Sequence, residues 1–285
     1  MAKYVRTFSA GNYRYSYSYS RINKNDCAKA RSEKRNHTAA AQKQVNDKLS
    51  RIQLTGIIAE NFANSETAHF VTLTCDAKHY PADNRKSSCK AYVEKQVNLY
   101  LDRLKYQAKK KTSEICRVFC VGMGEEGRYH AHLCIDGIDS DTIRDCWGLG
   151  NVDYHLMYED REWLSDRDWL TPTGTVNPVA IARYMMGNGA DRAVGKHPWH
   201  ASRNCKRGNF GAAKLVPDSF NIAPEEAVVI LDSEKTEGQW AEHRFIEFLV
   251  PSAHKIHTRS RSRKASASLT RGGVLYLSGK RRKEK

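Results

Sequence analysis

The chain has no run of about eighteen apolar residues, the minimum an α-helix needs to cross a bilayer, so it carries no transmembrane helix. Its opening residues, Met1-Ala2-Lys3-Tyr4-Val5-Arg6, lack the apolar core of a secretory signal, which sets the expectation of a cytoplasmic protein. Eight cysteines are present, yet none stands in the CxxC pairs of a structural zinc site. Cys75, Cys116, Cys120 and Cys134 fall in apolar runs instead, as buried reduced thiols do. No GxxxxGK[ST] loop occurs, which argues against a fused ATP-driven motor. Acidic residues all but vanish after Lys255, where Glu284 stands alone among many Arg and Lys.

Cationic side chains are abundant. Over 285 residues the formal net charge is +15 and the isoelectric point about 9.4. Such a surface favours a polyanion, nucleic acid first, and no membrane partner. An apolar fraction of 40% suffices for a real core.

Residues 1–31 are basic and poor in aliphatics. Within them Tyr13-Arg14-Tyr15-Ser16-Tyr17-Ser18-Tyr19-Ser20 alternates strictly, as an edge strand, as an arm whose tyrosines stack on bases, or as a loosely ordered leader. Residues 32–61 read as a basic helix with Val45, Leu49, Ile52, Ile57 and Ile58 near helical spacing. A strand follows at 70–75, then a helix capped at Ser87 or Ser88 and running to about 109 with a stripe of Tyr92, Val93, Val97, Tyr100, Leu101 and Leu104. Strands at 118–123 and 129–135 flank a glycine-bounded turn, Gly124-Glu125-Glu126-Gly127-Arg128. A short helix at 141–147 with Asp139 or Ser140 as cap precedes a strand at 151–158. After a charged loop with Trp163 and Trp169, Asn177 caps a further helix, Pro178 takes its first position, and Gly187-Asn188-Gly189 ends it.

The order β-α-β-β-α-β predicts an α+β fold, a ferredoxin-like split βαβ unit whose antiparallel sheet has helices on one face and leaves the other open. Residues 196–207 are basic and aromatic, and 227–231 and 245–250 read as two more strands. The expected organisation is a basic N-terminal arm and helix over 1–65, the main domain over 66–215, a strand-containing extension over 216–257 and a disordered basic tail over 258–285 that adds non-specific DNA affinity.

Alternation along 129–135 places Ala131, Leu133 and Ile135 on one face and His130 and His132 on the other. Two imidazoles side by side on a strand form half of a divalent-metal site. A pair of satisfied surface histidines would look the same from spacing alone.

Phe70-Val71-Thr72-Leu73-Thr74, then His130-Ala131-His132, then a helix with Tyr184, resembles the HUH endonucleases, and among them the rolling-circle replication initiators of plasmids and filamentous-type phages. The likeness spans about residues 66–210. It implies a tyrosine nucleophile, Tyr184, that nicks one DNA strand and rejoins it through a 5′-phosphotyrosine. It implies Mg²⁺ or Mn²⁺ held by His130 and His132, with Glu125 as third ligand, and DNA contacts from Thr72, Thr74, Arg128, Arg183, Lys196 and Arg203. Single-stranded or stem-loop origin DNA would be the substrate, with a host helicase and polymerase as partners. Two features depart from the family pattern. The carboxylates Glu125 and Glu126 lie in the turn rather than in a strand, and the lysine expected one turn after the tyrosine is Gly187. Arg183, Arg192 or Lys196 could supply that charge. Another register aligns Ala180 with the family's first tyrosine and Arg183 with its lysine, leaving Tyr184 a neighbour. Relaxases and single-tyrosine transposases share this chemistry. A non-catalytic nucleic-acid-binding sheet is the alternative from another class, although RNA-binding sheets of that shape expose aromatics rather than His and Thr.

Overall fold

The computed structural model describes residues 3–20, 39–82, 85–111, 113–124, 127–188, 198–233, 236–237 and 242–251. The chain is α+β, built on two antiparallel sheets with helices between and outside them. The first sheet contains β3 (His69–Thr74), β4 (Cys116–Met123), β5 (Tyr129–Asp136), β6 (Val152–Leu156) and β7 (His200–Ala201), in the spatial order β6-β3-β5-β4-β7. The second contains β1 (Lys3–Ala10), β2 (Tyr13–Ser20), β8 (Asn209–Phe210), β10 (Val228–Asp232) and β12 (Glu242–Leu249) in the order β10-β12-β2-β1-β8. Two short strands join it at the sides: β9 (Lys214–Val216) on β1, and β11 (Thr236–Glu237) on β12.

Helix α1 (Ala39–Asn61) leads into the first sheet, and α2 (Lys86–Lys110) joins β3 to β4. The predicted stripe holds on α2: Val93, Val97, Tyr100, Leu101 and Leu104 are fully buried against Val71, Leu73, Ala131 and Leu133. Arg85 takes the cap position of α2 without a side-chain cap bond, so the two serines fall inside the first turn instead of capping it. Two short helices follow, α3 (Ser140–Asp145) and α4 (Arg161–Ser165). Asp139 caps α3 as expected, its carboxylate accepting from the Thr142 N–H at 2.9 Å. Helix α5 (Pro178–Asn188) starts on the Asn177 side chain, which accepts from the Val179 and Ala180 N–H groups at 3.2 Å each.

The expectation of helices on one face only is corrected here: both faces of the first sheet are covered. Phe70, Val118, Cys120 and Cys134 face away from α2, and an apolar row of this kind cannot stay in water. Leu54, Ile57, Ile58 and Phe62 of α1 and Ile181, Ala182 and Met185 of α5 bury it. The far side of α1 packs on the second sheet, where Ile52 and Ala59 meet Phe8, Tyr13 and Leu249. Residues 54–59 of α1 are therefore buried all round. Gly56 permits this approach, since a Cβ there would lie 2.7 Å from the Phe8 ring.

The tyrosine-rich stretch is neither an edge strand nor a loose leader. As β2 it pairs with β1 on one side and β12 on the other. Strands from the expected N-terminal arm and C-terminal extension thus share one sheet. Its seam to α1 is ionic. Glu247 of β12, with no exposed side-chain surface, receives Arg51 Nη2 at 2.5 Å and Nη1 at 2.9 Å, and the Tyr13 hydroxyl at 3.0 Å. The tail 258–285 lies outside the described residues. The seven described cysteines are free thiols, and no described helix is long and apolar enough to cross a membrane.

Removing one partner of a buried ion pair leaves an uncompensated charge in a poorly polarisable interior. Arg51→Met is expected to lower unfolding stability by about 3 kcal/mol, and Arg51→Met with Glu247→Leu to recover most of it. Urea denaturation of the parent, single and double variants measures both, and a single variant as stable as the parent contradicts this account of the seam.

Candidate metal and nucleophile site

The site lies on the α1/α5 face of the first sheet. Antiparallel register sets Thr72 opposite His132 and Thr74 opposite His130. On the other side of β5, Cys120 faces His132 and Gly122 faces His130. Directly paired residues share a face, so both histidines and both threonines project together. The imidazole centroids are 4.5 Å apart.

His132 is 1% exposed. Its Nδ1 lies 3.1 Å from the Thr72 hydroxyl, and its Nε2 is buried with no hydrogen-bond partner among the described residues. Burial and the neighbouring His130 lower its pKa to about 3, so it is neutral at physiological pH. His130 is also lowered by burial, against a hydrogen bond to the Arg128 backbone that favours the charged form. Gly124 makes room for it, since a Cβ there would come within 3.1 Å of the His130 ring. In the tautomer whose Nδ1–H is directed to Thr72, His132 would present the Nε2 lone pair, the form in which a histidine binds metal.

Helix α5 lays Tyr184 over this face. The tyrosine ring packs 4.8 Å from His132, 5.2 Å from Trp169 and 6.2 Å from Phe70, centroid to centroid, and stays 42% exposed. Phe70 and Trp169, themselves 4.8 Å apart, back this cluster from the core. The side chain thus has a ring packed on neutral His132 and a solvent-reachable edge, an arrangement that could bring its hydroxyl to a group held at the histidine face.

The structure gathers Thr72, Thr74, His130, His132 and Tyr184. Arg128 and Arg183 are exposed at its margin, next in sequence to Tyr129 at the start of β5 and to Tyr184. Arg203 is not part of the cluster. Ser202 bonds the Arg117 carbonyl, which puts Arg203 beside the Cys116 end of β4, whereas the histidines pair at Cys120 and Gly122. Glu125, Glu126, Arg192 and Lys196 lie outside the described residues. Among the described residues no group of three or more His, Cys, Asp or Glu could hold a metal ion.

Sequence reasoning missed the ring wall of Phe70 and Trp169. It also missed His155, on the same face one strand beyond Phe70. His155 is held between Asp160 at 2.6 Å and Asp153 at 3.0 Å and stacks on Trp163 at 4.2 Å. The alternation of Asp153 and His155 along β6 was the available signal.

Residues 68–177 match a family model of replication-associated proteins, the ORF2 type. The match takes in both threonines and both histidines and ends at Asn177, one residue before the helix of Tyr184. It covers under half of the chain. No curated protein and no solved structure matches the chain.

Folded His132 binds its proton more weakly than an unfolded imidazole with a pKa of about 6.5. Below that pH unfolding takes up a proton, so the contribution of neutral His132 to stability is complete above it and is lost as pH falls toward about 3. The metal-free protein is expected to lose urea stability between pH 7 and pH 5, and His132→Gln to lose less over the same interval. A pH-independent difference between the two proteins contradicts the burial argument.

Proposed function

We propose that the chain is a rolling-circle replication initiator of the HUH endonuclease type, which nicks and rejoins one strand of origin DNA through Tyr184. The observation that carries this reading is the packing of the half-exposed Tyr184 ring 4.8 Å from His132, on the sheet face that holds the histidine pair. Its wider support is the likeness of residues 68–177 to replication-associated proteins. The order β6-β3-β5-β4, with helices after β3 and β5, is 4-1-3-2 counted along those four strands and supports the reading of a ferredoxin-like split βαβ core.

In this reading His130 and His132 would hold Mg²⁺ or Mn²⁺. The fit rests on the buried His132 Nε2, which has no protein partner among the described residues and would carry a lone pair in the tautomer whose Nδ1–H faces Thr72. Glu125, the third ligand that the resemblance implies, would add a hard oxygen donor. When bound, the cation supplies Lewis-acid polarisation of the scissile phosphate. Thr72 keeps His132 in the tautomer that offers Nε2, and Thr74 lines the same face beside His130. The Tyr184 oxygen attacks phosphorus, the bond from phosphorus to the 3′-oxygen breaks, and the phenolic proton leaves as the 3′-oxygen gains one. The products are a 5′-phosphotyrosine and a free 3′-hydroxyl, the primer that a host polymerase extends behind a host helicase. Arg128 and Arg183 neutralise backbone phosphates at the rim. Lys196 and Arg203 would add further phosphate contacts. Tyr13 and Tyr15 are buried in the second sheet, which argues against a relaxase-like arrangement with an N-terminal nucleophile.

The test is incubation with a stem-loop oligonucleotide from the native replicon and Mn²⁺. A covalent DNA adduct is expected in the parent and in Tyr154→Phe and Tyr158→Phe. Tyr184→Phe is expected to lose it completely while still binding DNA, and His130→Ala and His132→Ala to lose nicking. An adduct that persists in Tyr184→Phe and maps by mass spectrometry to another tyrosine overturns the assignment.

A further inference from the structure

The face of the second sheet turned toward α1 carries a ladder of aromatic residues that the nicking chemistry does not use. Tyr13, Tyr15, Tyr17 and Tyr19 alternate along β2. Register adds Ala10, Phe8, Arg6 and Tyr4 from β1 and Leu249, Glu247, Phe245 and His243 from β12 to the same face. The inner end is sealed: Phe8, Tyr13 and Tyr15 are buried. The outer end is not. There Tyr4, Tyr17, Tyr19, Phe210 and Phe245 are only partly buried, and residues 43–46 of α1 are exposed rather than packed over them.

The outer rings are arranged in tiers. Tyr17 and Tyr19 stack at 5.8 Å and 23°, Tyr4 and Tyr19 at 5.6 Å and 21°, and Phe210 stands edge-on to Tyr17 at 6.3 Å. Cations already sit on this surface. Lys48 Nζ lies 3.4 Å over the Phe245 ring and the Arg6 guanidinium 5.1 Å over Phe210, while His243 is exposed beside Tyr19. Among the described residues the one carboxylate that these pairings place on the face is Glu247, buried and bound to Arg51. Flat rings with cations, and among the described residues no free anion at these paired strand positions, suit a ligand that has both π-faces and negative charge. An apolar protein segment would use the rings but not Arg6, Lys48 and His243.

We infer that this outer end is a stacking platform for single-stranded DNA, separate from the scissile site, with Tyr17 and Tyr19 taking bases and Arg6 and Lys48 taking phosphates. The choice of DNA rests on the reading of the chain as an origin nickase; the platform itself rests on the second sheet alone. Stacking tolerates any base, so the platform would hold a displaced strand without selecting its sequence.

The experiment is anisotropy titration of labelled oligothymidylate with the full chain, without divalent cation, over a range of salt. Tyr17→Leu with Tyr19→Leu keeps apolar bulk and removes both π-faces. It is expected to weaken binding roughly tenfold or more, with an unchanged slope of log affinity against log salt. Tyr17→Phe with Tyr19→Phe is expected to bind as the parent. Arg6→Gln is expected to flatten the salt slope by about 0.7. Ultraviolet crosslinking of the unmodified chain is expected to attach thymidine within residues 3–20. Parental affinity in the double leucine variant, or crosslinks confined to other segments, overturns the platform. So does a parental dimer that the leucine variant dissociates with no change in oligothymidylate binding. A chain that forms no Tyr184 adduct yet crosslinks at Tyr17 or Tyr19 supports the platform and defeats only the nicking reading. A chain that forms the adduct but crosslinks elsewhere does the reverse.

Discussion

Between Leu54 and Ala59 helix α1 has no side that faces water. Leu54, Ile57 and Ile58 lie against the first sheet and Ile52 and Ala59 against the second. Burial of each large aliphatic side chain contributes about 1.5–3 kcal/mol, and a helix apolar on two sides realises it only between two layers. The N- and C-terminal strands supply the second layer, and the ion pair from Arg51 to Glu247 sets the height at which helix and sheet meet. The same layer decides the site. Helix α5 packs beside α1 over the first sheet, and this holds Tyr184 against His132 rather than on an independent surface.

Covering that face also fixes the charge state of the histidines. An exposed pair would titrate near neutrality. Under α5 the charged form loses its hydration, and both pKa values move down. A neutral imidazole with one nitrogen bonded to a threonine and the other bare has unspent donor capacity. In a protein interior such an orphan is costly unless something occupies it.

The elements legible in the sequence were those whose local pattern or cap chemistry stands out along the chain. Helix α2 has one apolar stripe, β5 alternates cleanly, and α5 opens on Asn177-Pro178, so pattern and cap chemistry sufficed. The histidine pair and its threonine neighbours were legible for the same reason, since a period of two assigns the face. The second sheet was not. Strands β1 and β12 are partly covered on both faces, which blurs alternation, and β2 meets β12 across more than two hundred residues. The tyrosine strand that seemed fit for a sheet edge is central in its sheet because its second partner lies at the other end of the chain. Phe70 and Trp169 were read as strand core and loop, because an apolar ring gives no sign in sequence that it backs a polar site. The covered histidine face was missed because the apolar row from Phe70 to Cys134 is interleaved with the polar site residues.

The central claim is that His130 and His132 form the cation-binding edge of a site whose other wall is Tyr184. Titration of Mn²⁺ into protein labelled on histidine and tyrosine rings, followed by paramagnetic broadening in nuclear magnetic resonance spectra, tests it without any DNA. The account predicts that the signals of His130 and His132 broaden first, that the Tyr184 ring follows at the same low occupancy, and that His243 in the second sheet stays sharp. Broadening that begins at His243, or that spreads evenly over all the histidines, would contradict it.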